Sequence, residues 1–196
     1  MLKKYTGNKT KVVIPDGVIS IGERAFEYCE NLESITIPDS VTSIGSGAFY
    51  WCEKLTTINI PDSVTSVGDG AFEGCENLRD NNGFIIIKNT LYDYSGSDNN
   101  IIIPNNVTII GNEAFQSCMN LTTITIPDSV TSIGDKAFDG CRNLTTINIP
   151  DSVTSVGDGA FYGCENLDCF EQGLEFMLLD ELTSDDEYDD LDEFDE

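Results

Sequence analysis

A 23-residue rhythm runs through most of the chain and leaves little choice of fold. The six prolines, Pro15, Pro38, Pro61, Pro104, Pro127 and Pro150, follow one another at intervals of 23, 23, 43, 23 and 23 residues. Each closes an isoleucine-rich run and opens a turn. Residues 55–77, LTTINIPDSVTSVGDGAFEGCEN, show one unit, with Leu55, Ile58, Ile60, Val64, Val67, Ala71, Phe72 and Cys75 as its inward set. The same columns return at Leu144, Ile147, Ile149, Val153, Val156, Ala160, Phe161 and Cys164. A unit of this size cannot offset the entropy of ordering itself, so successive units must stack and share a core.

Local structure follows from spacing. Ile58 and Ile60 alternate with Thr57 and Asn59, the period of a half-buried strand. Pro61-Asp62-Ser63 is a turn signal, because proline presets φ and short polar side chains bond nearby backbone. Gly22, Gly45, Gly68, Gly111, Gly134 and Gly157 form a column that implies either a backbone conformation or a close approach hostile to Cβ. Ala71, Phe72 and Cys75 are spaced for one short helical turn.

The fixed order IPDSVTSIG, AF, C and NL closely resembles the BspA-like (TpLRR-class) leucine-rich repeat over about residues 10–167. The resemblance implies an α/β solenoid, a right-handed curved coil with a parallel β-sheet on its concave face and short strands and helical turns on its convex side. It also implies binding or adhesion roles, in members often displayed on microbial surfaces.

The period slips by 20 residues between Leu78 and Pro104. A β-hairpin fits the insert at about 79–100, with arms Phe84 to Ile87 and Leu91 to Tyr94 and a turn at Lys88, Asn89 and Thr90. A second symmetry has an offset of 89: residues 2–14 align with 91–103, and the three following repeats align likewise. Segments 61–78 and 150–167 differ only at Glu73 and Tyr162, so the chain is an internal duplication whose N-terminus starts midway through a hairpin motif. Three parts are expected: a solenoid of six repeats over 1–167, a C-terminal cap over 168–182, helical or extended, and a disordered acidic tail over 183–196.

Charge narrows the partners. The chain has 35 acidic residues, 10 basic ones, no histidine and a net charge of −25, of which residues 168–196 carry −14. Nucleic acid and anionic membrane are unfavourable partners for such a surface. A protein, basic for preference, is the expected one; oligomeric state is left open. The N-terminal MLKKYTGNKTKVVIP has no apolar core of a secretory signal, and no 18-residue apolar run occurs. A cytoplasmic location is expected on that ground, with the cell surface as the alternative if the chain is a fragment.

Without histidine, Ser-His and Cys-His pairs are impossible, and no nucleotide-binding glycine motif is present. Neither enzyme nor cofactor chemistry is expected. Cys29, Cys52, Cys75, Cys118, Cys141 and Cys164 recur at one column, which points to core filling by small apolar side chains rather than to metal or disulfide chemistry; Cys169 stands off it. The site candidates are the outward strand columns, Ser34, Thr57, Asn100, Thr123 and Thr146 beside Thr36, Asn59, Ile102, Thr125 and Asn148. Their plain alternative role is a solvated β-face. Tyr188, Leu191 and Phe194, set among carboxylates, are candidate docking residues of the tail.

Overall fold

The structure, a computed structural model, describes residues 1–167. Its coils, residues 9–31, 32–54, 55–77, 98–120, 121–143 and 144–166, each give two short strands. The three-residue strands are β1 (Lys11–Val13), β3 (Ser34–Thr36), β5 (Thr57–Asn59), β9 (Asn100–Ile102), β11 (Thr123–Thr125) and β13 (Thr146–Asn148). The two-residue strands are β2 (Ser20–Ile21), β4 (Ser43–Ile44), β6 (Ser66–Val67), β10 (Ile109–Ile110), β12 (Ser132–Ile133) and β14 (Ser155–Val156). Between the third and fourth coils lie β7 (Phe84–Ile87) and β8 (Thr90–Tyr94). Pairing is parallel between successive coils within each set of three and antiparallel within the hairpin.

The turn after each strand forms as its sequence predicts, with Val41 N–H donating to the Pro38 carbonyl at 3.0 Å and equivalents in all six coils. The serine does something different from the expected local bond. Ser63 Oγ donates 2.7 Å to the Val41 carbonyl, 22 residues back, as Ser129 does to Val107 and Ser152 to Val130. A residue that reads as a turn former is a staple between coils.

The helical turns expected at Ala-Phe-x-x-Cys do not form. Among the described residues the only helical element is the 3-10 turn Glu76–Leu78. Two columns of left-handed backbone break the segment, one at Arg24 (φ 49°), Gly47 (59°) and Gly70 (57°), the other at Tyr28 (55°), Trp51 (55°) and Gly74 (72°). An α-helix cannot pass through such residues. The freed N–H groups bond the next coil instead: Phe26 to Ala48 O at 2.7 Å and Tyr28 to Tyr50 O at 2.8 Å. The spacing of Ala71, Phe72 and Cys75 mimics a helix because these side chains share one inward face.

That face builds an aromatic stack. Phe26, Phe49 and Phe72 in one run, and Phe115, Phe138 and Phe161 in the other, have centroids 5.0 to 5.6 Å apart and planes within 9° of parallel. The cysteine column fills the core beside it and also bonds. Cys52 Sγ donates to Phe26 O, and Cys75 Sγ to Phe49 O, each at 3.1 Å. Burial pushes the Cys52 thiol up to about 12, and Cys75 still higher. Cys29, Cys118 and Cys164 are only half-buried.

The core is not one continuous body. Two apolar clusters are present, one spanning coils one to three and the other coils four to six. The hairpin is the reason: β8 lies parallel to β10, so β6 and β5 pair with no strand of the fourth coil. Phe84 and Leu91 enter the second cluster, whereas Ile85 enters the first. Tyr92 has no partner in the hairpin register; as the extra residue of a β-bulge it turns back to Phe72, 5.2 Å between centroids. The hairpin loop is Lys88-Asn89, with Thr90 in the second arm rather than in the turn.

The glycine column is decided for close approach. None of its members has positive φ, and a Cβ on Gly134 would lie 2.6 Å from Asn112 N and 2.8 Å from the Gly111 carbonyl carbon. Gly134→Ala should therefore cost about 1–3 kcal/mol in equilibrium unfolding, because the neighbour is backbone and cannot step aside. A melting curve unchanged by the substitution would contradict this packing. Cys52, Cys75 and Cys141 should react with a thiol reagent only once the chain is denatured.

Candidate protein-binding face

The three-residue strands hold the candidate residues in two registered panels. In the first, Ser34 lies beside Lys11 and Thr57, and Thr36 beside Val13 and Asn59. In the second, Thr123 lies beside Asn100 and Thr146, and Thr125 beside Ile102 and Asn148. Ile35, Ile101, Ile124 and Ile147 point the other way and are buried, so the alternation of the sequence is realised. Ser34 and Thr123 are half-buried, and the other eight candidates are exposed.

Lys11 and Val13 belong to this face and were not among the residues expected there. Both lie one 23-residue step before Ser34 and Thr36, and 89 before Asn100 and Ile102. Either offset, carried one coil further, finds them. With them included, each panel begins with an exposed aliphatic residue, Val13 at 72% and Ile102 at 75%. The panels are not joined, since β5 and β9 belong to separate sheets.

Charge is distributed around this face rather than on it. On a chain with 35 acidic residues, the outward strand positions of both panels carry none, and Lys11 is their one ion. Carboxylates collect at the junction of the two halves. Arg79 at the end of the third coil bonds Asp93 of β8 at 2.6 Å and Glu76 at 3.0 Å, and its side chain is only 10% exposed. Lys88 reaches Asp62 at 2.7 Å, and Asn112 donates to Asp69 at 2.7 Å, tying both halves across the insert.

A cleft of about 340 Å³ opens between β6 and the hairpin, lined by Val64, Val67, Ile87, Tyr92 and Ile109 among others. Among the described residues no group of three His, Cys, Asp or Glu side chains could hold a metal ion, and no helix is long and apolar enough to cross a membrane. Cys169, Tyr188, Leu191 and Phe194, together with the expected cap and tail, lie outside the described residues.

Comparison with known families decides the lineage. The family described as BspA type leucine rich repeat region, in six copies, matches residues 4–83 and 85–174. The chain belongs to this family. The two matched stretches part at residue 84, the first position of β7, where the two cores also part. Among solved structures, the leucine-rich-repeat protein of T. pallidum is 33% identical, with 88% of this chain and 85% of that one covered and a TM-score of 0.53. A leucine-rich cell surface protein of Faecalibacterium prausnitzii is 35% identical over 81% of this chain and 52% of its own, with a TM-score of 0.46. A leucine-rich-repeat protein of Eubacterium ventriosum is 26% identical over 84% and 63%, with a TM-score of 0.42. A comparison with curated proteins returned no match.

The junction should respond to pH. Burial, reinforced by Asp93 and Glu113, raises Glu73; burial, reinforced by Asp69 and Asp139, raises Glu113; and burial also raises Asp93 despite Arg79. A carboxylate whose pKa is higher in the folded chain favours folding below its ordinary value, 3.8 for Asp and 4.5 for Glu. That contribution is lost as pH rises through the folded value. Glu73→Gln with Glu113→Gln should flatten the decline in unfolding free energy above that point, by roughly a few tenths of a kcal/mol after solvent screening. An unchanged pH profile would contradict it.

Proposed function

We propose that the chain is a non-catalytic protein-binding scaffold that presents its two strand panels, the concave face of the curved coil, to a partner protein. The observation that carries this reading is the absence of acid from the panels on so acidic a chain. Interface centres are depleted of charge because every buried carboxylate must be desolvated. Here the rows of Thr, Ser and Asn supply neutral donors and acceptors, and Val13 and Ile102 supply one apolar anchor to each panel. Repetition at an offset of 89 makes the surface two-fold redundant, so a partner with two matching segments gains by simultaneous engagement.

A basic partner fits the surroundings. The panels lie in a chain of net charge −25, whose field draws cations from a distance and repels nucleic acid. The tail residues Tyr188, Leu191 and Phe194 add apolar contacts between carboxylates, a composition suited to docking on such a partner.

A second reading rests on the family resemblance: a cell-surface adhesin, or a piece of one, that binds host or matrix protein through the same face. The cytoplasmic location expected from the sequence gains no support from the structure, because the lack of a membrane-spanning helix among described residues assigns no compartment. A secretory signal or wall anchor encoded in the native reading frame selects the surface reading.

Val13→Asp combined with Ile102→Asp should lower capture of partner proteins from native lysate by about tenfold or more while leaving the melting temperature unchanged. Removal of residues 183–196 should weaken capture of basic proteins at low salt and leave folding intact. Capture that is indifferent to the panel substitutions would remove this face from the function.

A further inference from the structure

The two halves meet at two bare strand edges, both in the interior of the chain. The short strands form one sheet of order β2-β4-β6 and another of order β14-β12-β10-β8-β7, so the first stops at β6 and the second at β7. Both edges line the cleft of about 340 Å³, β6 through Ser66 and Val67 and β7 through Ile87. An unpaired edge is a template for another strand.

What the β6 edge lacks can be read from the coil before it. There Thr42 O and Ile44 O accept from the Thr65 and Gly68 N–H groups of the next coil, each at 2.9 Å, and Gly47 N–H donates 2.9 Å to Asp69 O. One step of 23 residues further on, the counterparts are Thr65 O, Val67 O and Gly70 N–H. Among the described residues no group beyond the third coil reaches any of the three, because β6 pairs with β4 alone. The edge therefore calls for two donors three residues apart and an acceptor after them, the pattern of a strand running parallel to β6.

Side chains around the cleft add two preferences. In the column Ser20, Ser43, Ser66, Ile109, Ser132 and Ser155, isoleucine replaces serine only at the coil that walls the cleft, and it is 40% exposed there. Val64, Val67, Ile87 and Tyr92 continue this apolar lining. The second preference is charge. Asp69 lines the cleft, and an adjoining cleft of about 130 Å³, which shares Gly70, Tyr92 and Asn112 with it, adds Glu73, Asp93 and Glu113. Arg79 and Lys88 are already committed, the first to Asp93 and Glu76 and the second to Asp62.

We propose that this cleft takes an extended, basic segment of a partner protein, which inserts as one strand beside β6 and joins the two short-strand sheets. Backbone donors on Thr65 O and Val67 O supply the hydrogen bonds of strand addition, and an apolar side chain against Ile109 fixes the register. Lys or Arg directed at Glu73 and Glu113 selects the partner. Charge disfavours the other occupants: a second copy also carries −25, and residues 168–196 of this chain hold fourteen acids and no base. Entry parts two exposed contacts, Lys88 on Asp62 and Asn112 on Asp69. The site is separate from the strand panels and does not depend on their role.

The probe is an end-capped peptide of residues 130–136 with Ser132→Val and Asp135→Lys, which keeps the backbone pattern of a following coil and adds an apolar residue and a second lysine. Isothermal titration against the 1–196 chain at low salt should give one saturable site. In the intact chain Thr131 and Gly134 donate to the preceding coil at 2.9 and 2.8 Å. N-methylation of the peptide at these two residues should weaken binding about tenfold or more. Ile109→Ser, which restores the residue of the column, should weaken it about threefold or more with melting temperature unchanged. Replacing both peptide lysines by glutamate should remove it. A peptide that does not bind overturns the proposal, as does binding that N-methylation leaves unchanged. Binding removed by Val13→Asp with Ile102→Asp also overturns it, because the peptide then lies on the panels. So does self-association of the chain that the peptide displaces, since the cleft then holds a second copy.

Discussion

Hydrogen bonds between neighbouring coils hold this protein together, and nearly every other feature is a condition for making them. On the short-strand side the donors point to the preceding coil, Thr65 to Thr42 O and Gly68 to Ile44 O, each at 2.9 Å. On the turn side they point to the following one, Phe49 to Ala71 O and Trp51 to Glu73 O, each at 2.8 Å. Side chains copy the pattern: Thr65 Oγ1 on Thr42 O, Ser63 Oγ on Val41 O and Cys75 Sγ on Phe49 O all cross from one coil to the previous one. A single coil would leave these groups to water, and its phenylalanine without a ring to stack on. Stability is therefore a property of neighbours, as expected for quasi-one-dimensional folds.

This dependence explains what could be read in the sequence and what could not. Strands, turns, glycines and the core phenylalanines each follow from a residue type repeated at one period, and all lie where the rhythm places them. The helical turn failed because spacing reports which side chains share a face, not how the backbone reaches it. Arg24, Tyr28 and Trp51 adopt left-handed φ without the glycine that would have signalled it. Glycines stand at those columns only in some coils, Gly47, Gly70 and Gly159 at the first and Gly74, Gly140 and Gly163 at the second. Ser63 reads as a local turn former because its partner is 22 residues away, in the previous coil, where turn chemistry does not reach.

The split of the core has the same cause, a partner remote in sequence. The 43-residue interval betrays an insert, and its composition betrays a hairpin. What sequence reasoning did not extract is that β8 replaces a coil for the second half while Tyr92 and Ile85 seal the end of the first. One small element serves both as terminator and as starter. Of the candidate site, the polar columns are legible from alternation; Lys11 and Val13 are masked in the sequence because the first coil departs from the consensus IPDSVTSIG and puts a lysine and a valine where later coils carry small polar residues.

The proposed binding role rests on the same geometry. A stack of identical coils presents identical outward positions, so selection at a few columns shapes a whole face, and acids can be kept off that face while they accumulate elsewhere. The claim beneath all of this is that the turn segments are held by neighbouring coils rather than by helix-like bonds of their own. Hydrogen exchange on the intact chain tests it most directly. The amides of Phe49, Trp51, Phe115 and Ser117 should be protected to the same degree as those of the short strands beside them, since both sets are released only when adjacent coils part. Exchange of these four at the rate of an open loop, with the strands still protected, would contradict the account.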